Sequence, residues 1–300
     1  MDRWSASDIP PQAGRTVVVT GANSGIGLAA TRELVRAGAR VVLAVRDTAK
    51  GEAAAATLRG LSGTAEVRRL DLADLASVRE FAAGVDHPVD VLVNNAGLMA
   101  VPFRRTADGF EMQTGTNFLG HFALTGLLLP RVTDRVVTLS SAAHRIGHLD
   151  VDDLNWERRR YQRWLAYGQS KLADLVFAYE LQRRFVAAGS LLRSTAAHPG
   201  YAATNLQSRT ESAQDLAMGL LNRVVAQGPE GGALPTLYAA TVADLPGGSY
   251  IGPDGPGEVR GAPRPVGSSA ASHDRALGRA LWQRAEELTG VRPDVASAIA

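Results

Sequence analysis

The sequence predicts an α/β fold, a doubly wound and mostly parallel sheet with helices on both faces, in a single domain spanning residues 1–300. Short apolar runs of strand length recur with helix-compatible segments between them, the pattern of parallel strands buried on both faces by crossover helices. A glycine-rich turn sits where the first strand hands over to the first helix. With 45% hydrophobic and 21% charged residues, the chain has the composition of an ordinary soluble protein with a large core. Neither an internal repeat nor a linker divides it.

After an N-terminal arm of residues 1–14, the first strand is Thr16 to Thr20. Thr20-Gly21-Ala22-Asn23-Ser24-Gly25-Ile26-Gly27 then leads into a helix over Gly25 to Ala37. Gly21 permits the tight turn, Gly25 lets a backbone approach a pyrophosphate, and Gly27 lets the helix lie on the sheet with its N-terminus toward the anion. The spacing is GxxxGxG rather than GxGxxG, so a purely structural loop is the alternative.

The second strand, Arg40 to Val45, is followed by Arg46 and Asp47. An arginine there accommodates a 2′-phosphate, whereas a carboxylate takes the ribose hydroxyl, so NADP is preferred and NAD stays open. A helix over Thr48 to Arg59 and a third strand over Ala65 to Leu70 follow. Asp71 and Leu72 end that strand at a sheet edge suited to an adenine, and the alternative is an ordinary N-cap at Asp71 or Asp74 for the helix Leu75 to Gly84.

Val89 to Asn94 is the fourth strand, closed by Asn94-Asn95-Ala96-Gly97. Small residues there allow close approach of a ring, and paired asparagines also mark plain turns. Gly109 to Leu129 reads as an apolar helix containing Asn117, whose amide must be satisfied or costs roughly 1 to 3 kcal/mol. It is either a core hydrogen-bonder or holds a functional water. The fifth strand, Arg135 to Ser140, brings Ser140 and Ser141 to the same sheet edge as the glycine turn.

An insert over 142–166 precedes the helix Arg163 to Ala188, and Leu191 to His198 is the sixth strand. Residues 201–227 read as a partly helical substrate loop, Glu230 to Ala243 as a helix, and Ser249 to Ile251 as a last edge strand. In the C-terminal extension, 252–300, a Gly/Pro-rich loop over Gly252 to Pro265 leads to a helix over His273 to Thr289. Leu277, Leu281, Trp282 and Leu288 recur there at helical spacing, so it packs back on the body.

Inside the helix from Arg163, Tyr167 and Lys171 stand four residues apart and so share one face. A phenol titrates near pH ~10, and moving it by ~2 to 3 units takes roughly 3 to 4 kcal/mol. A unit charge ~4 Å away supplies about that much at an effective dielectric of ~20. An aromatic on a helix face with a solvated lysine nearby is the alternative that spacing alone leaves open; the one other lysine is Lys50, and arginine fills the remaining cationic positions.

Composition excludes several chemistries. Without cysteine there are no disulfides, thiolate nucleophiles or thiolate metal ligands, which fits a reducing cytoplasm. A net charge of +2 argues against nucleic acid, and no span of ~18 apolar residues argues for a membrane. His144 and His148 with Asp150, Asp152 and Asp153 suggest a metal, but Gly147 breaks the helix and no third ligand is evident, so none is expected. The aromatic and arginine run Trp156 to Trp164 reads as a solvated helix face beside the active-site mouth.

Together these residues resemble the short-chain dehydrogenase/reductase family, from about Arg15 to Ile251, and most closely its retinol dehydrogenase-like and WW-domain-oxidoreductase-like branch. The resemblance implies a Rossmann-type fold and a catalytic set of Asn117, Ser141, Tyr167 and Lys171. It implies a cofactor site made of Gly21, Asn23, Ser24, Gly25, Ile26, Gly27, Arg46, Asp71, Leu72, Asn95, Ala96 and Gly97. Tyr167, Lys171, Pro199, Gly200 and Thr204 complete that site. The expected reaction is NADP(H)-dependent interconversion of a carbonyl and an alcohol on a moderately apolar small molecule, with Tyr167 as acid and base, Ser141 on the substrate oxygen, and Asn117 positioning a water toward Lys171. A cofactor-binding regulatory protein on the same fold and an NAD-preferring alcohol dehydrogenase are the alternatives. Family members often form homodimers through the helices matching Gly109 to Leu129 and Arg163 to Ala188.

Overall fold

In a computed structural model, residues 3–201 and 228–296 are described. The chain alternates β1 (Thr16–Thr20), α1 (Gly25–Arg36), β2 (Arg40–Val45), α2 (Thr48–Ala56), β3 (Thr64–Arg69), α3 (Leu75–Ala83) and β4 (Val89–Asn94). It continues through α4 (Gly120–Leu128), β5 (Val132–Leu139), α5 (Arg163–Ala187), β6 (Arg193–Ala197), α6 (Pro229–Thr241), β7 (Tyr250–Pro253), β8 (Pro263–Pro265) and α7 (Arg275–Thr289). The strand order is β3-β2-β1-β4-β5-β6-β7-β8, parallel throughout except for the β7–β8 pair. The order reverses between β1 and β4, where open α/β sheets leave a crevice for ligands at the carboxyl ends of their strands.

Valine runs form the central strands because both faces are covered: Val17, Val18, Val19, Val41, Val42, Leu92 and Val93 have no solvent exposure. One core joins Phe81 of α3, Phe122 of α4 and Phe177 of α5 to Trp282 of α7, and the opposite core holds Leu34 of α1, Ala54 of α2 and Leu237 of α6. At the sheet edge, β3 reads Thr-Ala-Glu-Val-Arg-Arg and stays partly exposed, its charges discouraging pairing with another chain. Helix starts follow side-chain caps. Asp74 accepts from Ala76 N and Ser77 N at the head of α3, Asp47 caps α2 and Asp274 caps α7.

Three expectations change, and the N-terminal arm gains a definite place. Gly109 lies in a turn closed by an Arg105–Glu111 bridge, and a π-helical turn over Thr114–Leu119 precedes α4, so the long helix is shorter and irregular at its start. The strand near Ser249 is not the edge, since the Pro-rich β8 lies outside it; proline is tolerated there because an edge strand can spare an N–H. The Trp156 to Arg160 run is irregular rather than helical, as Arg159 stacks 3.9 Å from the Trp156 ring and pairs with Asp153 at 3.2 Å. The N-terminal arm is docked: Trp4 packs edge-on against Tyr238 at 5.2 Å, and Gln12 N–H reaches Ala37 O.

The C-terminal extension covers the helices expected to serve a homodimer. Trp282 meets Phe122 and Phe177, Arg184 lies 4.1 Å over the Trp282 ring, and Gly126 packs against Val291 and Pro293. A homodimer through α4 and α5 has only the surface that α7 leaves uncovered. Among the described residues, no helix is long and apolar enough to cross a membrane.

Candidate active site

The glycine turn is braced from β1 and from the loop after β4. Gly21 adopts φ 66°, a left-handed conformation that glycine takes without strain, and a Cβ there would press on Ala96. A Cβ on Gly27 would run into Gly21 O and Asn95 Nδ2, so the start of α1 lies flat on the turn. Asn95 Nδ2 donates to Thr20 O at 2.7 Å, and the N–H groups of Asn95 and Ala96 both reach Thr20 Oγ1 at 2.9 Å. Asn23, Ser24, Gly25 and Ile26 lie between these fixed points, with Ser24 as the N-cap of α1. The first backbone N–H groups of a helix carry partial positive charge, and here they belong to the residues that follow this turn.

Arg46 is exposed at the end of β2. Asp47, next to it, is engaged locally: it accepts from Lys50 N at 3.1 Å and pairs with Lys50 Nζ at 2.9 Å, and these bonds lower its pKa. Asp71 Oδ1 accepts from Ala73 N at 3.0 Å, while Leu72 packs under Gly120 of α4. The helix cap therefore belongs to Asp74, and Asp71 shapes the turn before it.

Asn117 lies in the π-helical turn, where Gly120 N–H reaches back to Gly115 O. Such turns occur mostly as single insertions, frequently at functional sites. Its amide spans three elements: Oδ1 accepts from Leu98 N at 2.7 Å, and Nδ2 donates to Leu98 O and to Ser170 Oγ, each at 2.9 Å. A water role for Asn117 has to use the Oδ1 lone pair that Leu98 leaves. A Cβ at Gly97 would come within 3.3 Å of Asn117 Oδ1 and 3.6 Å of Lys171 Nζ, so this glycine brings the loop after β4 against both.

Of the two serines ending β5, Ser140 is buried and donates to Lys171 O at 2.7 Å, which ties the strand to α5. Ser141 is only partly buried, and its Oγ accepts from Ala143 N at 3.2 Å. Tyr167 is the second residue of the buried stretch of α5, after Ala166, and Lys171 follows one turn later with its ammonium donating to Leu139 O at 2.9 Å and Asp174 Oδ2 at 2.8 Å. Burial works against the ammonium, but the Asp174 carboxylate beside it lifts the lysine above its ordinary value. Pro199 and Gly200 follow β6, and Tyr201 N–H bonds Val259 O. Thr204 and the rest of the substrate loop lie outside the described residues.

Two further residues complete this assembly, His121 and Asp174. His121, fully buried, takes Asn117 O at 2.7 Å through Nδ1 and Thr20 Oγ1 at 2.9 Å through Nε2, linking the glycine turn to the π-helical turn. Burial drops its pKa to about 3, so it stays neutral. Asp174 is the second. Each was visible as a lone ionisable residue inside an apolar run, His121 between Gly120 and Phe122 and Asp174 between Ala173 and Leu175.

The insert over 142–166 is held by its own polar contacts. His144 Nδ1 bonds Ser141 O at 2.7 Å while its Nε2 accepts from Ser269 N at 3.1 Å, so both ring nitrogens are used within the chain. Gln169 of α5 donates to Leu154 O and Thr114 Oγ1 and receives Arg159. Tyr161 OH accepts from Gln113 Nε2 at 2.8 Å and lies 3.1 Å from Glu111 Oε1, and burial raises the pKa of both Tyr161 and Glu111. Among the described residues, no group of His, Asp or Glu side chains could hold a metal ion.

The family model for short chain dehydrogenase matches residues 15–215. The chain belongs to that family. It is 42% identical over 293 residues to Retinol dehydrogenase 13 of Homo sapiens, an alignment covering 93% of this chain and 85% of that protein. Over 297 residues it is 40% identical to Polyprenol dehydrogenase of Mus musculus, covering 94% and 86% respectively. A crystal structure of an uncharacterized protein from Mycobacterium Paratuberculosis superposes with a TM-score of 0.84 at 54% identity, covering 97% of this chain and 99% of that one. The protein is thus an NAD(P)-dependent oxidoreductase acting on CH–OH groups, within the retinol dehydrogenase-like branch.

Proposed function

We propose that the protein is an NADP(H)-dependent dehydrogenase/reductase that interconverts an aldehyde or ketone and its alcohol on a moderately apolar molecule, with Tyr167 as the acid and base. The observation that carries this reading is the meeting of Gly97, Asn117 and Lys171, one turn of α5 after Tyr167 and beside the serine pair ending β5. The residues present fit a dinucleotide. The turn at Gly21 to Gly27 presents the start of α1 to a pyrophosphate, Arg46 stands free of Asp47's engagement with Lys50, and Gly97 leaves room where a side chain would press on Asn117.

When bound, the nicotinamide supplies or accepts the hydride. Tyr167 gives its hydroxyl proton to the substrate oxygen during reduction and takes it back during oxidation. Ser141 steadies that oxygen as charge develops, its Oγ oriented by the Ala143 N–H. With two of three N–H groups committed, Lys171 keeps one for a ribose hydroxyl or a water. Asn117 holds the 97–98 segment and keeps one acceptor for a water.

Retinol and polyprenol dehydrogenases act on isoprenoid alcohols by their names, and such alcohols and aldehydes are the first substrates of this reading. A cytoplasmic setting belongs to the same reading and is supported by the cysteine-free composition. The test is cofactor consumption with NADPH and with NADH against retinal, short isoprenoid aldehydes, aryl ketones and quinones. Turnover of an apolar aldehyde with NADPH favoured by about tenfold or more is expected. Tight NADPH binding without turnover of any compound would assign the chain a sensing role instead.

A further inference from the structure

Asp174 is an odd residue to bury. It is 1% exposed, follows Lys171 by three residues on α5 in the run Leu172-Ala173-Asp174-Leu175-Val176, and presents Oδ2 to the lysine at 2.8 Å. Its Oδ1 has no hydrogen-bond partner among the described residues. A buried carboxylate with one oxygen unsatisfied costs stability, and well-packed apolar residues often replace a buried ion pair at no loss. Nor is it needed as an anchor, because Leu139 O already holds the ammonium at 2.9 Å. A carboxylate contributes what a carbonyl does not, which is a full negative charge beside Nζ.

We propose that Asp174 is a positioning residue that sets how much of the Lys171 charge is felt at the Tyr167 phenol. Ionised, it cancels the ammonium and keeps proton transfer in a more alkaline range; neutralised, it leaves the positive charge of a still-protonated Lys171 uncompensated and moves that range toward acid, over the pH range in which the buried lysine holds its proton. This rests on the proposed role of Tyr167. The titratable groups that bear on the pair are few. Tyr167 shares α5, and His121 faces it from α4 but is held neutral by burial. From β5 come only uncharged groups, the Leu139 carbonyl and the Ser140 hydroxyl on Lys171 O, and from the loop after β4 comes Gly97. Burial lifts the Asp174 carboxyl to about 6 against the pull of Lys171.

The test is the pH dependence of kcat for alcohol oxidation, from about pH 5 to about pH 10, in the full chain and in Asp174→Asn and Asp174→Glu. A phenolate acting as base makes the rate rise with pH. Asp174→Asn should shift that rising limb about one unit toward acid, a tenfold gain in relative rate on the limb, with the NADP dissociation constant changed less than about threefold. Asp174→Glu should bring the limb back toward wild type. If Asp174→Asn does not fold, Asp174→Ser removes the same charge and must shift the limb in the same direction. A fall in kcat with an unmoved limb would overturn the proposal and leave Asp174 a packing residue. Absence of turnover in the wild-type chain would instead defeat the enzymatic reading itself.

Discussion

At the N-terminal end of β5, Asp134 accepts from Arg15, Arg135 and Arg193; at the C-terminal end of the same strand, the Lys171 ammonium rests on Leu139 O and one oxygen of Asp174. The lower cluster is closed. Arg135, 1% exposed, also donates to Ala239 O at 3.1 Å and Val242 O at 2.9 Å, where α6 ends and its dipole favours a cation. Although burial works to raise Asp134, Arg135 and Arg193 hold it below its ordinary value. The upper cluster is open: one lysine N–H and Asp174 Oδ1 remain uncommitted. A satisfied buried network fixes architecture, whereas a partly satisfied one at the ligand edge of the sheet keeps polar capacity for chemistry.

Three measurements break or sharpen that contrast. Tyr167→Phe at the upper end should lower turnover by roughly 10²- to 10⁴-fold, with NADPH affinity and thermal midpoint nearly unchanged. A comparable loss of stability would mean that the upper end is architectural too. Arg135→Met at the lower end should cost about 3 kcal/mol in chemical denaturation, because Asp134 loses a partner and two carbonyls at the end of α6 lose a donor. Its kcat per folded molecule should stay within about twofold; a large drop would couple the two ends. Arg46→Ala should act on neither cluster. It should weaken NADPH by about tenfold, or about 1.4 kcal/mol, and leave NADH within about twofold in fluorescence titrations. Equal losses for both cofactors would contradict the phosphate assignment.

The elements were legible because burial on both faces leaves an unmistakable run of valine and leucine in β1, β2, β4 and β5. Tyr167 and Lys171 were legible because a helical turn puts residues four apart on one face whatever packs around them. Where packing overrides local pattern, the sequence does not show the outcome. The π-helical turn at Asn117 is not a periodicity, and the Trp156 to Arg160 segment is set by Arg159 stacking on Trp156 rather than by any helix.

By itself the sequence determined the alternating sheet, the glycine turn that bends only where side chains are absent, and the phenol–ammonium spacing on α5. Those depend on contacts between residues near in the chain and on hydrophobic period. Only the tertiary structure decided that α7 covers α4 and α5, and that His121 joins Thr20 to Asn117. It also decided what the sequence could not rank, the weight of Asp174. An aspartate three residues after a lysine is commonplace in water, and it becomes consequential only when both are taken out of solvent and one of its oxygens is left without a partner.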